Sequence, residues 1–277
     1  MRHSRNPSTE PPSKRESPAL APTTGRAPAN RKHRYSRALK CSPTEEESQT
    51  IILNRALVHL KLKAFDAALL DVGSASLSAS PPEKALFRKA QALYGLGRFR
   101  ECIEVLQLLR SQHSSNSAAK ELLNRAVSRL AEQLNGLYSF KSMYAEAAKL
   151  GPPYLDRATF VGPVTIKEST VSPGGRGLFT TKAVAAGDLL ICEKAYAVAF
   201  ADEGTGKDGG SQRSNLAILV DTETDRMTVG AQAELVNLTI RKLYLNPSSS
   251  KVVTDLHHGA YEPMKTSSVD GRPVVDS

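Results

Sequence analysis

"NRALVHLKLKAFDAALLD" (Asn54–Asp71) aligns, at a constant offset of 34 residues, with "RKAQALYGLGRFRECIEV" (Arg88–Val105). Ala56 falls on Ala90, Leu60 on Tyr94, Leu62 on Leu96, Phe65 on Phe99, Ala68 on Cys102 and Leu69 on Ile103. Each segment reads as a helix, a short turn and a second helix. Small residues at Ala56, Ala68 and Ala90 let two antiparallel backbones approach closely. Phe65 and Phe99 are bulky enough to fill the gap between one unit and the next.

A helix–turn–helix repeated at this period resembles the tetratricopeptide repeat, in which each unit buries its apolar face only by stacking on its neighbours. Working outward, "YSRALKCSP" (Tyr35–Pro43) reads as the second helix of an earlier repeat whose first helix is missing. Downstream, Ser115–Leu134 reads as a capping helix with Leu122, Leu123, Ala126, Leu130 and Leu134 at helical spacing. Tyr138–Leu150 is expected to continue helically until Gly151-Pro152-Pro153 stops it. Residues 1–34 hold six prolines and few apolar side chains, a composition that cannot offset its own ordering entropy, so a disordered arm is expected. The net charge of +9 sits mostly there: the first 40 residues carry ten lysines and arginines against Glu10 and Glu16. The remainder is close to neutral. A solvated tail is therefore expected in preference to a nucleic-acid contact or an import signal at "RKHR" (Arg31–Arg34).

After residue 160 the pattern changes. "GPVTIKES" (Gly162–Ser169) alternates like a strand, a glycine turn follows at Gly174–Gly177, and Leu178–Phe200 gives two more strands. Gly204–Gly210 reads as a flexible loop, "NLAILVD" (Asn215–Asp221) as a further strand. Thr228–Asn246 reads as a helix with Ala231, Leu235, Leu238 and Leu243 near one face. "GRGLFTTKAVAAGDLLICEKAYAVAF" (Gly175–Phe200) resembles the opening strands of SET-domain lysine methyltransferases. It is nearest to the SET-and-MYND-like class and to fungal proteins in which tetratricopeptide repeats precede the SET domain. The features that carry the resemblance are Gly175-Arg176-Gly177-Leu178-Phe179 and "AAGDLL" (Ala185–Leu190), in that order after a repeat array.

The resemblance implies an α+β chain: a disordered arm over 1–34, a tetratricopeptide-like helical array with a capping helix over 35–150, and a partial SET domain over 151–277. It further implies S-adenosylmethionine as cofactor, with Gly175, Arg176, Gly177 and Leu178 lining its pocket. Glycine suits such a place because it allows φ > 0 and carries no Cβ, so backbone can lie against a flat ligand. Gly174 stands where relatives often have lysine. The family takes its chemistry from a later Asn-His-Ser-Cys stretch, a late tyrosine and a cysteine cluster for zinc; none matches here. Tyr261 corresponds to an insert and is not assigned a catalytic role. The expectation is a chain cut off at both ends and inactive as it stands. The competing expectation is a repeat-based binding module without catalysis. Asn54, Lys84 and Arg88 match positions at which many tetratricopeptide proteins clamp a peptide's C-terminal carboxylates, as in the acidic tails of chaperones. An amide and two cations facing one groove would favour such a terminus.

Composition narrows the field further. No apolar run of about eighteen residues spans a membrane, and the charged, proline-rich start is not a secretory signal. Three dispersed cysteines (Cys41, Cys102, Cys192) fit reduced intracellular thiols and cannot build a zinc module. "GTGKDG" (Gly204–Gly209) satisfies a dinucleotide-loop pattern but has too few residues after it for the helix that pattern needs. It fails as a phosphate loop because Asp208 stands where Ser or Thr would bind magnesium. His257-His258 lacks further ligands at metal spacing, and Asn237-Leu238-Thr239 reads as a chance sequon.

Overall fold

The structure is a computed structural model. It describes residues 28–41, 43–75, 81–150, 153–169, 171, 175–200, 218–221, 226–256, 268–269 and 272–273. Among these, the architecture is mixed and helix-rich, with small antiparallel sheets after residue 160, which fits the α+β expectation.

Helices α1 (Pro28–Leu39), α2 (Glu45–Lys61), α3 (Phe65–Ala75), α4 (Glu83–Gly95), α5 (Phe99–Gln112) and α6 (Ser117–Asn135) pack in sequence, each against the next. α2 also touches α4, and α4 touches α6, so the even-numbered helices line one face. α2 starts on a reciprocal cap: Glu47 N–H donates to Thr44 Oγ1 (3.3 Å) and Thr44 N–H to Glu47 Oε2 (3.0 Å). The repeat is visible in backbone geometry. α3 and α5 both begin on the repeated phenylalanine, and the turns before them close alike. Ala64 N–H reaches His59 O at 2.9 Å, and Arg98 N–H reaches Leu93 O at 2.9 Å. Each turn pivots on a left-handed residue, Lys63 (φ 59°) or Gly97 (φ 73°).

The small-residue positions do what their pattern implies. Ala56, Ala90, Ala68 and Cys102 are all completely buried; Leu93, Leu106, Leu109, Leu122 and Leu123 form one core with Ala90 and Cys102, and Leu53, Val72 and Ala85 another with Ala56. The Phe65 ring lies so tightly over the next unit that a Cβ at Gly95 would sit 2.3 Å from it. Phe99 meets Tyr94 edge-on, with ring centroids 5.3 Å apart.

Two boundaries in the helical part differ from the sequence reading. The arm expected to be disordered over 1–34 is helical from Pro28, because proline is well tolerated at a first helical position and α1 then packs on α2. Residues 1–27 lie outside the described residues. The helix expected to run on from Tyr138 begins only at Phe140 (α7, Phe140–Ala147), since Gly136 (φ 64°) ends α6 and Ser139 caps a new start. The stop at Gly151-Pro152 lies outside the described residues.

The apolar stripe expected on α6 also gives way at its end. Leu134 is exposed, whereas Arg129 and Glu132 are buried. These two hold the connector Pro153–Thr159. Arg129 Nη2 pairs with Glu132 Oε1 (2.7 Å) and Arg129 Nη1 bonds the Asp156 carbonyl, while Ala158 N–H donates to Glu132 Oε2 (2.9 Å). Asp156 Oδ2 accepts from Tyr94 Oη (2.6 Å) and Arg125 Nη2 (2.7 Å).

Beyond the connector, β1 (Phe160–Val161) pairs with β4 (Ile191–Cys192), and β2 (Val164–Glu168) with β3 (Arg176–Thr180). β5 (Ile218–Asp221) pairs with β6 (Arg226–Val229), and β7 (Ser268–Val269) with β8 (Arg272–Pro273). All four pairs are antiparallel and separate. α8 (Ala231–Leu245), one 3₁₀ turn (Pro247–Ser249) and the short α9 (Lys251–Thr254) complete this part. The helix expected from Thr228 starts three residues later because Thr228 and Val229 belong to β6; its buried position is Ala233, and Leu235 is exposed. Gly204–Gly210, His257-His258 and Tyr261 lie outside the described residues.

Candidate functional site

The stretch that resembles a cofactor turn is the β2–β3 hairpin. Its register pairs Val164 with Thr180, Ile166 with Leu178, Lys167 with Gly177 and Glu168 with Arg176. Ser169 N–H extends the ladder to Gly175 O (2.8 Å), and Thr181 N–H extends it to Pro163 O (2.8 Å). Gly174 and most of the turn itself lie outside the described residues.

The structure places Arg176, Gly177 and Leu178 in β3, with Gly175 beside its start. Gly177 is in extended, not left-handed, backbone, which corrects half of the reason given for a glycine there. Its missing Cβ is what matters: an added one would come within 2.9 Å of the Phe179 ring. Among the described residues of this stretch, the left-handed glycine is Gly187 (φ 95°), in the "AAGD" turn that Asp188 closes by accepting from Ala185 N–H (2.8 Å). Leu178 is 54% exposed and its cross-strand partner Ile166 65%, so one face of the hairpin carries open apolar surface. The Arg176 guanidinium is engaged, its Nη2 donating to the Asp255 carbonyl (2.6 Å) at the end of α9. Side chains alternate along β3, so Leu178 and Ile166 share one face while Gly177 opens toward the other, beside Phe179 and Lys167. The cation at Arg176 is committed to the protein.

The other three expected site residues lie on α2 and α4, two helices in contact. Asn54 is half-buried on α2; Lys84 is exposed and Arg88 half-buried one turn later on α4. Arg88 Nη1 is fully buried without a hydrogen-bond partner among the described residues. Burial lowers the affinity of this guanidinium for its proton, while Tyr35 on α1 acts the other way. The structure thus places Asn54 on α2, Lys84 and Arg88 on the neighbouring α4, and the cofactor-turn residues on β3.

Sequence reasoning missed the joint between the two parts. Asn246, buried at the end of α8, accepts from Phe65 N–H (2.7 Å) and donates to Lys63 O (2.9 Å) and Lys242 O (3.3 Å). Ser248 donates to Asp66 through its N–H (2.8 Å) and its hydroxyl (2.7 Å). Lys242 Nζ donates to Tyr196 O (2.7 Å) and lies 3.9 Å from the Tyr196 ring centre. Burial, then the charges of Lys194 and Lys63, lowers this ammonium's pKa. Asn246-Pro247 carried a signal, a helix stop, but nothing in it announced a partner 183 residues away.

Among the described residues no cluster of His, Cys, Asp or Glu could hold a metal ion, and no helix is long and apolar enough to cross a membrane. No family model matches the chain. It is similar to a protein named Methyltransferase from Gibberella zeae, 43% identical over 244 residues, which cover 88% of this chain and 32% of that protein. It is also similar to Protein unc-45 homolog B of mouse, 32% identical over 108 residues, and of human, 31% identical over 108 residues. Those matches cover 39% of this chain and 12% of each relative. The chain therefore spans about a third of the length of the fungal methyltransferase and a smaller share of the other relatives.

Proposed function

We propose that this chain is the repeat-bearing and cofactor-strand-bearing part of a SET-type protein-lysine methyltransferase. The observation that carries the reading is the 43% identity to a fungal methyltransferase over 88% of the chain. In this reading Gly175, Arg176, Gly177 and Leu178 face S-adenosylmethionine, which when bound supplies an electrophilic methyl group. Leu178 offers apolar contact on one face of β3, Gly177 leaves its opposite face without a Cβ, and Arg176 fixes the strand by its bond to Asp255. The helices over 35–150 present the protein substrate or partner. Transfer to lysine also needs a neutral amine aligned in a narrow channel. The 277 residues contain no Asn-His-Ser stretch, so this chain alone is assigned no catalytic residue and is not expected to transfer the methyl group. Titration calorimetry with S-adenosylmethionine tests the cofactor assignment. Binding is expected, and Gly177→Val should weaken it about tenfold or more, roughly 1.4 kcal/mol. An affinity unchanged in Gly177→Val, or no binding at all, overturns the assignment.

A second reading, a repeat module that binds peptides without catalysis, is favoured by the buried, unpartnered Nη1 of Arg88. An incoming carboxylate would satisfy it, and Asn54 and Lys84 would share the charge. The expected partners are acidic C-terminal peptides such as chaperone tails. Binding should weaken in Lys84→Ala and Arg88→Ala and at higher salt. Unchanged binding of an acidic C-terminal peptide in both variants rejects the clamp.

A further inference from the structure

The contact between the two parts is polar, far apart in sequence, buried at Asn246 and exposed at Ser248, and it lies on a continuous path between the two candidate sites. On the repeat side, the turn Lys63–Asp66 offers the Lys63 carbonyl, the Phe65 N–H and the Asp66 carboxylate. On the other, Asn246 takes the first two and Ser248 the third. Asn246 is 4% exposed, so its amide must be paired here or pay a desolvation penalty. It acts as a cap supplied from outside the helix, satisfying the first N–H of α3.

The path continues in both directions. Phe65, whose N–H is held, packs its ring on Gly95 at the end of α4, the helix that carries Lys84 and Arg88. On the other side, Ser248 lies in the 3₁₀ turn that leads directly into α9. Asp255, just past α9, accepts from Arg176 of β3. The β2–β3 hairpin is only two strands, with apolar side chains exposed, so it has little packing of its own to fix its position.

We propose that residues 246–248 form a joint through which the helical array positions Arg176. Asn246 is a positioning residue: it sets where the 247–255 segment lies, and that segment offers the carbonyl that holds Arg176. The proposal rests on the methyltransferase reading only for what Arg176 serves; the joint itself needs neither cofactor nor peptide.

Nuclear magnetic resonance on the 277-residue chain, without ligand, tests it. The Arg176 Nη2–H signal, followed at low temperature and assigned by its loss in Arg176→Lys, is expected away from the free-arginine position in the unaltered chain. In Asn246→Ala it should shift to the free-arginine position while the amides of α4 and α5 stay in place. If Asn246→Ala also moves the α4 and α5 amides, Asp66→Ala, which removes both bonds to Ser248, is judged by the same criterion. An Arg176 signal that ignores the variant, or that already sits at the free position in the unaltered chain, overturns the proposal. Because no ligand is present, a failure of S-adenosylmethionine binding is a separate result and leaves this one readable.

Discussion

Lys63 and Gly97 occupy the same place in successive repeats, 34 positions apart, and both have left-handed backbone, at φ 59° and 73°. A residue with a Cβ costs about 1–2 kcal/mol in that conformation. Glycine recovers this at the expense of a floppier unfolded chain, about 0.5–1 kcal/mol. Lys63→Gly should therefore stabilise the protein by about 0.5–1 kcal/mol, and Gly97→Ala should destabilise it by about 1 kcal/mol. Urea midpoints read both. A destabilised Lys63→Gly would show that the lysine side chain contributes more than its strained backbone costs.

Two helical glycines should respond with opposite signs. A Cβ at Gly95 would meet the Phe65 ring at 2.3 Å, whereas one at Gly73 has nothing within 4 Å. Gly95→Ala should cost about 1–3 kcal/mol through overpacking. Gly73→Ala should gain up to about 1 kcal/mol from helix propensity. The pair is measured by chemical denaturation; equal effects would refute the ring-on-glycine contact.

His59 is buried between α2 and α3, 3.6 Å from Asp71, which also takes both nitrogens of the Arg55 fork. Burial lowers the His59 pKa, and the attraction of Asp71 only partly opposes it. The unfolded chain, with an ordinary histidine, binds the proton more readily. The stability tied to neutral His59 is thus complete above about pH 6.5 and is lost as pH falls toward the lowered folded value. Thermal melts between pH 8 and pH 5 should show this loss, and His59→Leu should flatten it.

Asp156 gives a separate acid limb. Burial alone would raise its carboxyl pKa, but the bonds from Tyr94 and Arg125, with the charges of Arg125 and Arg129, hold it below the usual carboxylate range. Its contribution is present above about pH 4 and fades as pH falls through the lowered value. Tyr94 mirrors it at high pH: burial, then the bond to and the charge of Asp156, pushes its phenol up to about 12. That share is complete below about pH 10 and is lost as pH rises through 12. Asp156→Asn should shrink the acid limb, and Tyr94→Phe should remove the alkaline one, as read by melts across pH. Unchanged limbs would mean that the connector is held by Arg129 and Glu132 alone.

The sequence by itself determined the helical layers, because a 34-residue period and small residues at Ala56, Ala68 and Ala90 admit close helix packing wherever they stack. It also marked the β2–β3 hairpin, since alternation and a glycine turn are local signals. It misjudged α6 near Arg129 and Glu132, whose charges belong to the core only once the connector supplies Ala158 and Asp156 as partners. The seat of Asn246 on Lys63 and Phe65 was not legible either. A hydrogen bond across 183 residues leaves no periodic trace, and whether an asparagine is a solvated helix stop or a buried clasp depends on which backbone the fold brings to it. Tertiary structure alone decided that, because burial leaves its amide no partner but the protein.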